Sequence, residues 1–159
     1  MRLRPATKHD QKTIRTLVYE GQINPFGLRW QNFVLAIVDS GEVVGVGQLK
    51  PHRGGVIELA SIAVRPAYQG QGVAHQIIEH LLAQADQPVW LMCADRLTSF
   101  YEPFGFVQVT DLAAMPVYYR RVRRGMQLLN LFVNGRLAIM VNKHKPEMPS
   151  LPKDGISLL

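Results

Sequence analysis

The sequence predicts a single mixed α/β domain, and three observations carry that reading. Apolar, β-branched runs with turn punctuation alternate with segments of helical periodicity, in the order β-α-α-β-β-β-α-β-α-β-α-β. The chain has 159 residues, the size of one ordinary domain and long enough to bury a core without disulfides or metals. Apolar residues make up 47% and charged residues 19%, the balance of a folded chain rather than a disordered one.

Each element has its own signal. "RLRPA" reads as a first strand. Thr7 with Asp10 three residues on resembles a capping box, and Ile14, Leu17 and Val18 recur at helical spacing, so a first helix is expected to about Glu20. Asn24-Pro25 and Gly27 break the pattern, and "LRWQNF" is expected to form a short second helix. "FVLAIVDSGEVVGVGQLK" reads as a hairpin turning at Asp39-Ser40-Gly41, "PHRGG" as the next turn and "VIELASIAV" as a long third strand of this group. Val73, Ala74, Ile77, Ile78, Leu81, Leu82 and Ala85 mark one face of an amphipathic helix. "PVWLMCA" returns to strand, "RLTSFYEPFG" is a short helix or turn, and "FVQVT" is a strand. From Pro116 a helix is expected to about Val133, although Asn134-Gly135 between apolar runs also suits a hairpin. "LAIMVNK" is the last strand. Residues 1–145 are therefore read as one domain, and 146–159, with Pro146, Pro149 and Pro152, as a loosely held tail.

Composition narrows the setting. A single cysteine, Cys93, excludes an internal disulfide and suits a reducing compartment. The N-terminal "MRLRPATKHDQ" has no apolar core of a signal peptide, and no apolar run reaches the roughly 18–20 residues of a membrane span, so a cytoplasmic protein is expected. His9, His52, His75, His80 and His144 show no metal-ligand spacing with one another or with Cys93, so no metal is expected. The net charge of +6 is local: Leu112 to Pro146 holds seven Lys or Arg and no acid, while the other basic and acidic residues nearly cancel.

"VRPAYQGQGVAHQII" places a proline, an aromatic and two glycines where a strand hands over to a helix. A Rossmann fingerprint needs a third glycine and a P-loop needs G-K-[ST], and neither is present. What remains is a glycine-rich loop entering a helix, where free N–H groups and the positive dipole end suit an anion such as a pyrophosphate. A plain turn satisfies the loop by itself equally well.

Two motifs decide between these readings by resemblance. Gln69-Gly70-Gln71-Gly72-Val73-Ala74 is similar to the Q/R-x-x-G-x-G/A motif of GNAT-type N-acetyltransferases, and "FYEPFGF", Phe100 to Phe106, resembles the aromatic–acid–x–x–Gly–Phe element of that superfamily. The resemblance covers about residues 2–143 in element order and implies a GNAT-like fold of about seven strands with helices on both faces. It further implies acetyl-coenzyme A in a V-shaped opening between the fourth and fifth strands. Ile62, Ala63 and Val64 would pair with the pantetheine and thioester, and Gln69, Gly70, Gln71, Gly72, Val73 and Ala74 would hold the pyrophosphate. Arg65 either adds a charge-assisted bond or stays solvated.

The implied chemistry is direct acetyl transfer to a primary amine, of a small molecule or a protein. A lysine-like amine is neutral in fewer than about one molecule in a thousand at pH 7, so a base or a water chain must take its proton. Glu58 is the carboxylate inside a central strand, alternating onto the face of Ala60, Ile62 and Val64. Its place eleven residues before Gln69 matches the base of some protein-lysine acetyltransferases; otherwise it is a solvent-facing strand glutamate. Tyr101 matches the family's general acid for the departing thiolate. The asparagine that many members carry seven residues earlier is replaced by Ala94.

The basic segment supports several readings. Tyr118, Val122, Met126, Leu129 and Val133 form an apolar stripe, with Arg120, Arg121, Arg123 and Arg124 mainly opposite. The arginines are a solvated face, a site for an acidic acceptor or a second copy of the chain, or a nucleic-acid or membrane contact. A coenzyme A-binding module without turnover is the rival to an enzyme.

Overall fold

The computed structural model describes residues 1–128 and 137–143. Among them seven strands form one sheet: β1 Arg2–Pro5, β2 Phe33–Ile37, β3 Val43–His52, β4 Val56–Val64, β5 Val89–Ala94, β6 Phe106–Gln108 and β7 Leu137–Asn142. Their order across the sheet is β1-β2-β3-β4-β5-β7-β6. Neighbours are antiparallel except β4 and β5, which run parallel. The helices are α1 Gln11–Glu20, α2 Val73–Ala83, α3 Thr98–Tyr101 and α4 Val117–Leu128.

The sheet is covered on both faces, as the sequence predicts. On one face Val73, Ile77, Ile78 and Leu81 of α2 pack on Val44, Leu59 and Leu91, with Phe100 and Tyr101 of α3 against the same cluster. On the other, Ile14, Leu17 and Val18 of α1 pack on Leu35, Val46 and Ala63, while Tyr119 of α4 joins Met115 and Ile139 of β7. A Cβ at Gly47 would lie 2.6 Å from both Ile62 Cδ1 and Ile77 Cγ2, so a side-chain-free residue lets α2 lie close on the sheet.

The capping box at Thr7 is present, and it is an electrostatic node. Asp10 accepts from the Thr7 backbone N–H (2.7 Å) and hydroxyl (2.8 Å) and from both terminal nitrogens of Arg4 (2.8 and 2.9 Å). It ties β1 to the start of α1.

Four expectations change. "LRWQNF" makes only a single 3₁₀ turn, Trp30–Asn32, before β2 begins. β3 continues through Pro51 and His52, so the turn is confined to Arg53, Gly54 and Gly55. Among the described side chains of α4 the fully buried one is Tyr119, with Tyr118 and Val122 of the predicted stripe half-buried, so the core-facing side includes a position that the stripe left out. The remainder of the predicted helix to Val133, the Asn134-Gly135 turn and the tail from Pro146 lie outside the described residues.

The fourth correction concerns β4. Val46 pairs with Ala63 but Gln48 with Ala60, so β4 carries one extra residue, and Ser61 there has φ +56°. A bulge reverses the alternation of everything beyond it. Glu58 and Ala60 share the α1 and α4 face with their partners Lys50 and Gln48, whereas Ile62 and Val64 pack toward α2. Glu58 is therefore on the opposite face from Ile62 and Val64.

Candidate functional site

β4 and β5 pair at only two positions, Ile57 with Val89 and Glu58 with Trp90. β4 has nine residues and β5 six, so most of their facing edges are unpaired to each other. Backbone N–H and C=O groups need partners, and two parting parallel strands leave a row of them available to an extended ligand. Ile62, Ala63 and Val64 lie on this stretch of β4.

Next to it, Val64, Gln69, Gly70, Gly72, Val73 and Ala74 line a cleft of about 650 Å³, together with Tyr68, His75, Gln76 and Phe100. Gly70 and Gly72 have φ of +74° and +80°, and a Cβ at either would meet nothing within 4 Å. Glycine is required here by backbone conformation, not by crowding, and the space it leaves is open to a ligand. Gly72 is the N-cap of α2, no side chain caps that helix, and its first-turn amides form the positive end of the helix dipole. The glutamines shape the loop: Gln69 Nε2 donates to Val64 O and Gln71 Nε2 to Ala67 O. Gln71 and the buried Ala63 do not line the cleft. Arg65 is engaged elsewhere, donating from Nε to Val43 O and pairing with Glu20 and Glu42.

On the other sheet face, Glu58 is 6% exposed, which removes the solvent-facing reading. It lines a small cavity of about 100 Å³ with Asn24, Phe26, Lys50, Ala60, Ser61, Met92 and Tyr118. Its Oε2 lies 2.5 Å from Nε2 of His52, whose ring stacks on Tyr118 of α4 at 3.8 Å between centroids. A buried carboxylate needs such a partner. Burial first, then the Glu58 charge, raises the Tyr118 phenol above its ordinary range. Lys50 stands directly across from Glu58, but its Nζ is turned to Phe26 O at 3.2 Å.

Tyr101 ends α3, half-buried among Phe100, Phe106 and the α2-side core, and lines neither cavity. Its hydroxyl has no hydrogen bond among the described residues. Burial, and next the nearby Cys93, push its pKa up to about 12. Burial and Asp95 push the Cys93 thiol up to about 11, so it is a poor source of thiolate.

His52 is the residue the sequence reading passed over. Its importance comes from pairing across the β3–β4 turn, a contact that metal-ligand spacing does not test. The four arginines of α4 also divide: Arg121 and Arg124 are exposed, whereas Arg120 and Arg123 are half-buried, Arg123 donating to Thr110 O. No group of three or more His, Cys, Asp or Glu is placed to hold a metal among the described residues, and none of their helices is long and apolar enough to cross a membrane.

Several solved structures share this architecture. The N-acetylglutamate synthase of Neisseria gonorrhoeae, complexed with coenzyme A and N-acetyl-glutamate, is 19% identical with a TM-score of 0.72. The match covers 89% of this chain and 34% of the synthase, so the chain spans about a third of that protein's length. Rv2747 of Mycobacterium tuberculosis, in complex with coenzyme A, is 24% identical with a TM-score of 0.68, over 91% of this chain and 99% of that one. Escherichia coli ElaA is 16% identical with a TM-score of 0.64, over 89% and 99%. Identities this low establish the fold alone. No curated protein sequence matches the chain. The sequence model of the acetyltransferase (GNAT) family matches residues 5–106, more than half of the chain, and with the parted β4 and β5 beside a glycine-capped helix this protein belongs to that family.

Proposed function

We propose that this protein transfers the acetyl group of acetyl-coenzyme A directly to a primary amine in the opening between β4 and β5. The observation that carries the reading is the parting of these strands after two paired residues, with the uncapped α2 N-terminus on one side and buried Glu58 on the other. The amides of Gln69 to Ala74 hold the pyrophosphate, and the free edge at Ile62, Ala63 and Val64 pairs with the pantetheine. The amine enters from the cavity that Glu58 lines.

Glu58 takes one proton from the incoming ammonium, leaving the neutral amine. The amine nitrogen then bonds to the thioester carbonyl carbon, and the tetrahedral adduct collapses as the C–S bond breaks with its electron pair leaving on sulfur. The nitrogen's second proton passes to solvent, leaving a neutral amide and the coenzyme A thiolate. Tyr101 is assigned to the departing sulfur by its place in the "FYEPFGF" element. A phenol near 12 against a thiol of about 8.5 leaves a gap of about 3.5 pKa units, roughly 5 kcal/mol. A phenol this weak shares its proton with the departing sulfur in a hydrogen bond rather than surrendering it to a solvated thiolate. The raised Cys93 thiol, with no base hydrogen-bonded to it among the described residues, favours direct transfer over an acyl-enzyme.

Thiol release from acetyl-coenzyme A tests the reading, with L-glutamate, L-lysine, spermidine, an aminoglycoside and a lysine-containing peptide as acceptors. One amine class is expected to turn over. Coenzyme A binding without turnover across all classes would instead support the non-catalytic module. Failure to bind coenzyme A would remove both.

A further inference from the structure

The His52–Glu58 pair is buried on both sides, the two side chains being 10% and 7% exposed, and it is built from three elements. His52 comes from the end of β3, Glu58 from β4 and Tyr118 from the first turn of α4. Glu58 Oε1 has no hydrogen bond among the described residues, while Oε2 is held by His52 Nε2. With Glu58 ionised, only a protonated Nε2 can make this contact, so the imidazole donates. Tyr118, stacked with an interplanar angle of 26°, limits rotation of the ring. The other titratable groups around the pair are Tyr119, next to Tyr118 on α4, and Lys50, two residues back on β3 and turned to Phe26 O.

We propose that His52 is the positioning residue of this site: its Nε2–H holds Glu58 Oε2, Tyr118 clamps the imidazole, and Oε1 is thereby aimed to receive the proton of the acceptor amine. The proposal rests on Glu58 being the base. It is the logic of a base oriented by a third group, built here from a histidine orienting a glutamate. It also gives α4 a part in the site through Tyr118 rather than through its arginines.

The protein alone supplies the first test. In its ¹⁵N-histidine spectrum His52 is expected as the Nε2–H form, with that resonance displaced in Glu58→Gln; an unprotonated Nε2 overturns the proposal. The second test is kinetic, with whichever amine of the five above releases thiol fastest. His52→Met matches the length of histidine without a donor, and is expected to lower kcat roughly ten- to hundred-fold, part of the 10²–10⁴ a placed base contributes. KM for acetyl-coenzyme A stays unchanged. His52→Gln, which restores an N–H at similar reach, is expected to recover most of the rate. Combined with Glu58→Gln, His52→Met adds no further loss.

Should His52→Met fail to fold, Tyr118→Leu is expected to show a smaller kcat loss that likewise vanishes in the Glu58→Gln background. A slow Glu58→Gln beside a full-rate His52→Met, or losses that multiply, overturns the positioning role and leaves the base assignment standing. A full-rate Glu58→Gln overturns both.

Discussion

Asp10 shows how much one side chain can organise. The Arg4 guanidinium first, and the Thr7 backbone and hydroxyl, hold its carboxyl far below the usual carboxylate range against the opposing effect of burial. A depressed carboxylate contributes stability that is present above its ordinary range and is lost as the pH falls through its folded-state value. Asp10→Asn is therefore expected to lower stability by about 1–3 kcal/mol at pH 7 and to flatten the acid side of the stability curve, read by urea denaturation across pH. At the proposed site, Tyr101→Phe is expected to slow acetyl transfer roughly ten-fold or more with coenzyme A affinity nearly unchanged. An unchanged rate would end its assignment as donor to the sulfur. Glu58→Gln is expected to lose rate in a way partly relieved at high pH, where the amine loses its proton unaided; a loss independent of pH would make Glu58 structural. Both residues were legible in the sequence, Tyr101 through its motif and Glu58 as a carboxylate inside an apolar strand. His52 was not, because its value lies in a contact across two strands and under a ring from α4.

Among the elements, the loop into α2 is the most legible and β4 the least. Two glycines before an amphipathic face announce a backbone in the left-handed region, and Gly70 and Gly72 adopt it. Gly72→Ala is expected to cost about 1–2 kcal/mol in denaturation and to weaken coenzyme A binding by calorimetry as the amides turn. Gly41→Ala provides the control: its φ is +88° at the β2–β3 turn with nothing within 4 Å, so it is expected to cost the same while leaving coenzyme A binding intact. Equal effects of the two on binding would remove the loop from the site. β4 misled for a physical reason. It is covered on both faces, so "ELASIAV" is apolar almost throughout and carries no alternation to expose a bulge. The left-handed Ser61, and with it the separation of Glu58 from Ile62 and Val64, followed only from pairing with β3. In α4 a similar difficulty arose, since apolar and arginine side chains both contribute to burial and the helix settles with Tyr119 inward.

Across the whole molecule, the α2 face carries the glycine loop and its cleft and the α1 and α4 face carries Glu58 and His52. Under the proposed function these faces have separate tasks, with the parted strands as the passage between them. A ligand bridging such elements binds only the folded chain, so coenzyme A at one hundred times its Kd is expected to stabilise the protein by about 2.7 kcal/mol. That increment is read as a rise in Tm, and no rise would contradict a preformed site. The order of the seven strands, the helices α1 and α2, the glycine loop and the "FYEPFGF" element were determined by the sequence alone, because propensity, periodicity and turn chemistry act over a few neighbouring residues. The register of β3 on β4, the two-residue pairing of β4 with β5, and the meeting of His52, Glu58 and Tyr118 were decided by the tertiary structure. These depend on pairing and packing between separate elements, whose geometry is settled only when both sheet faces are covered at once.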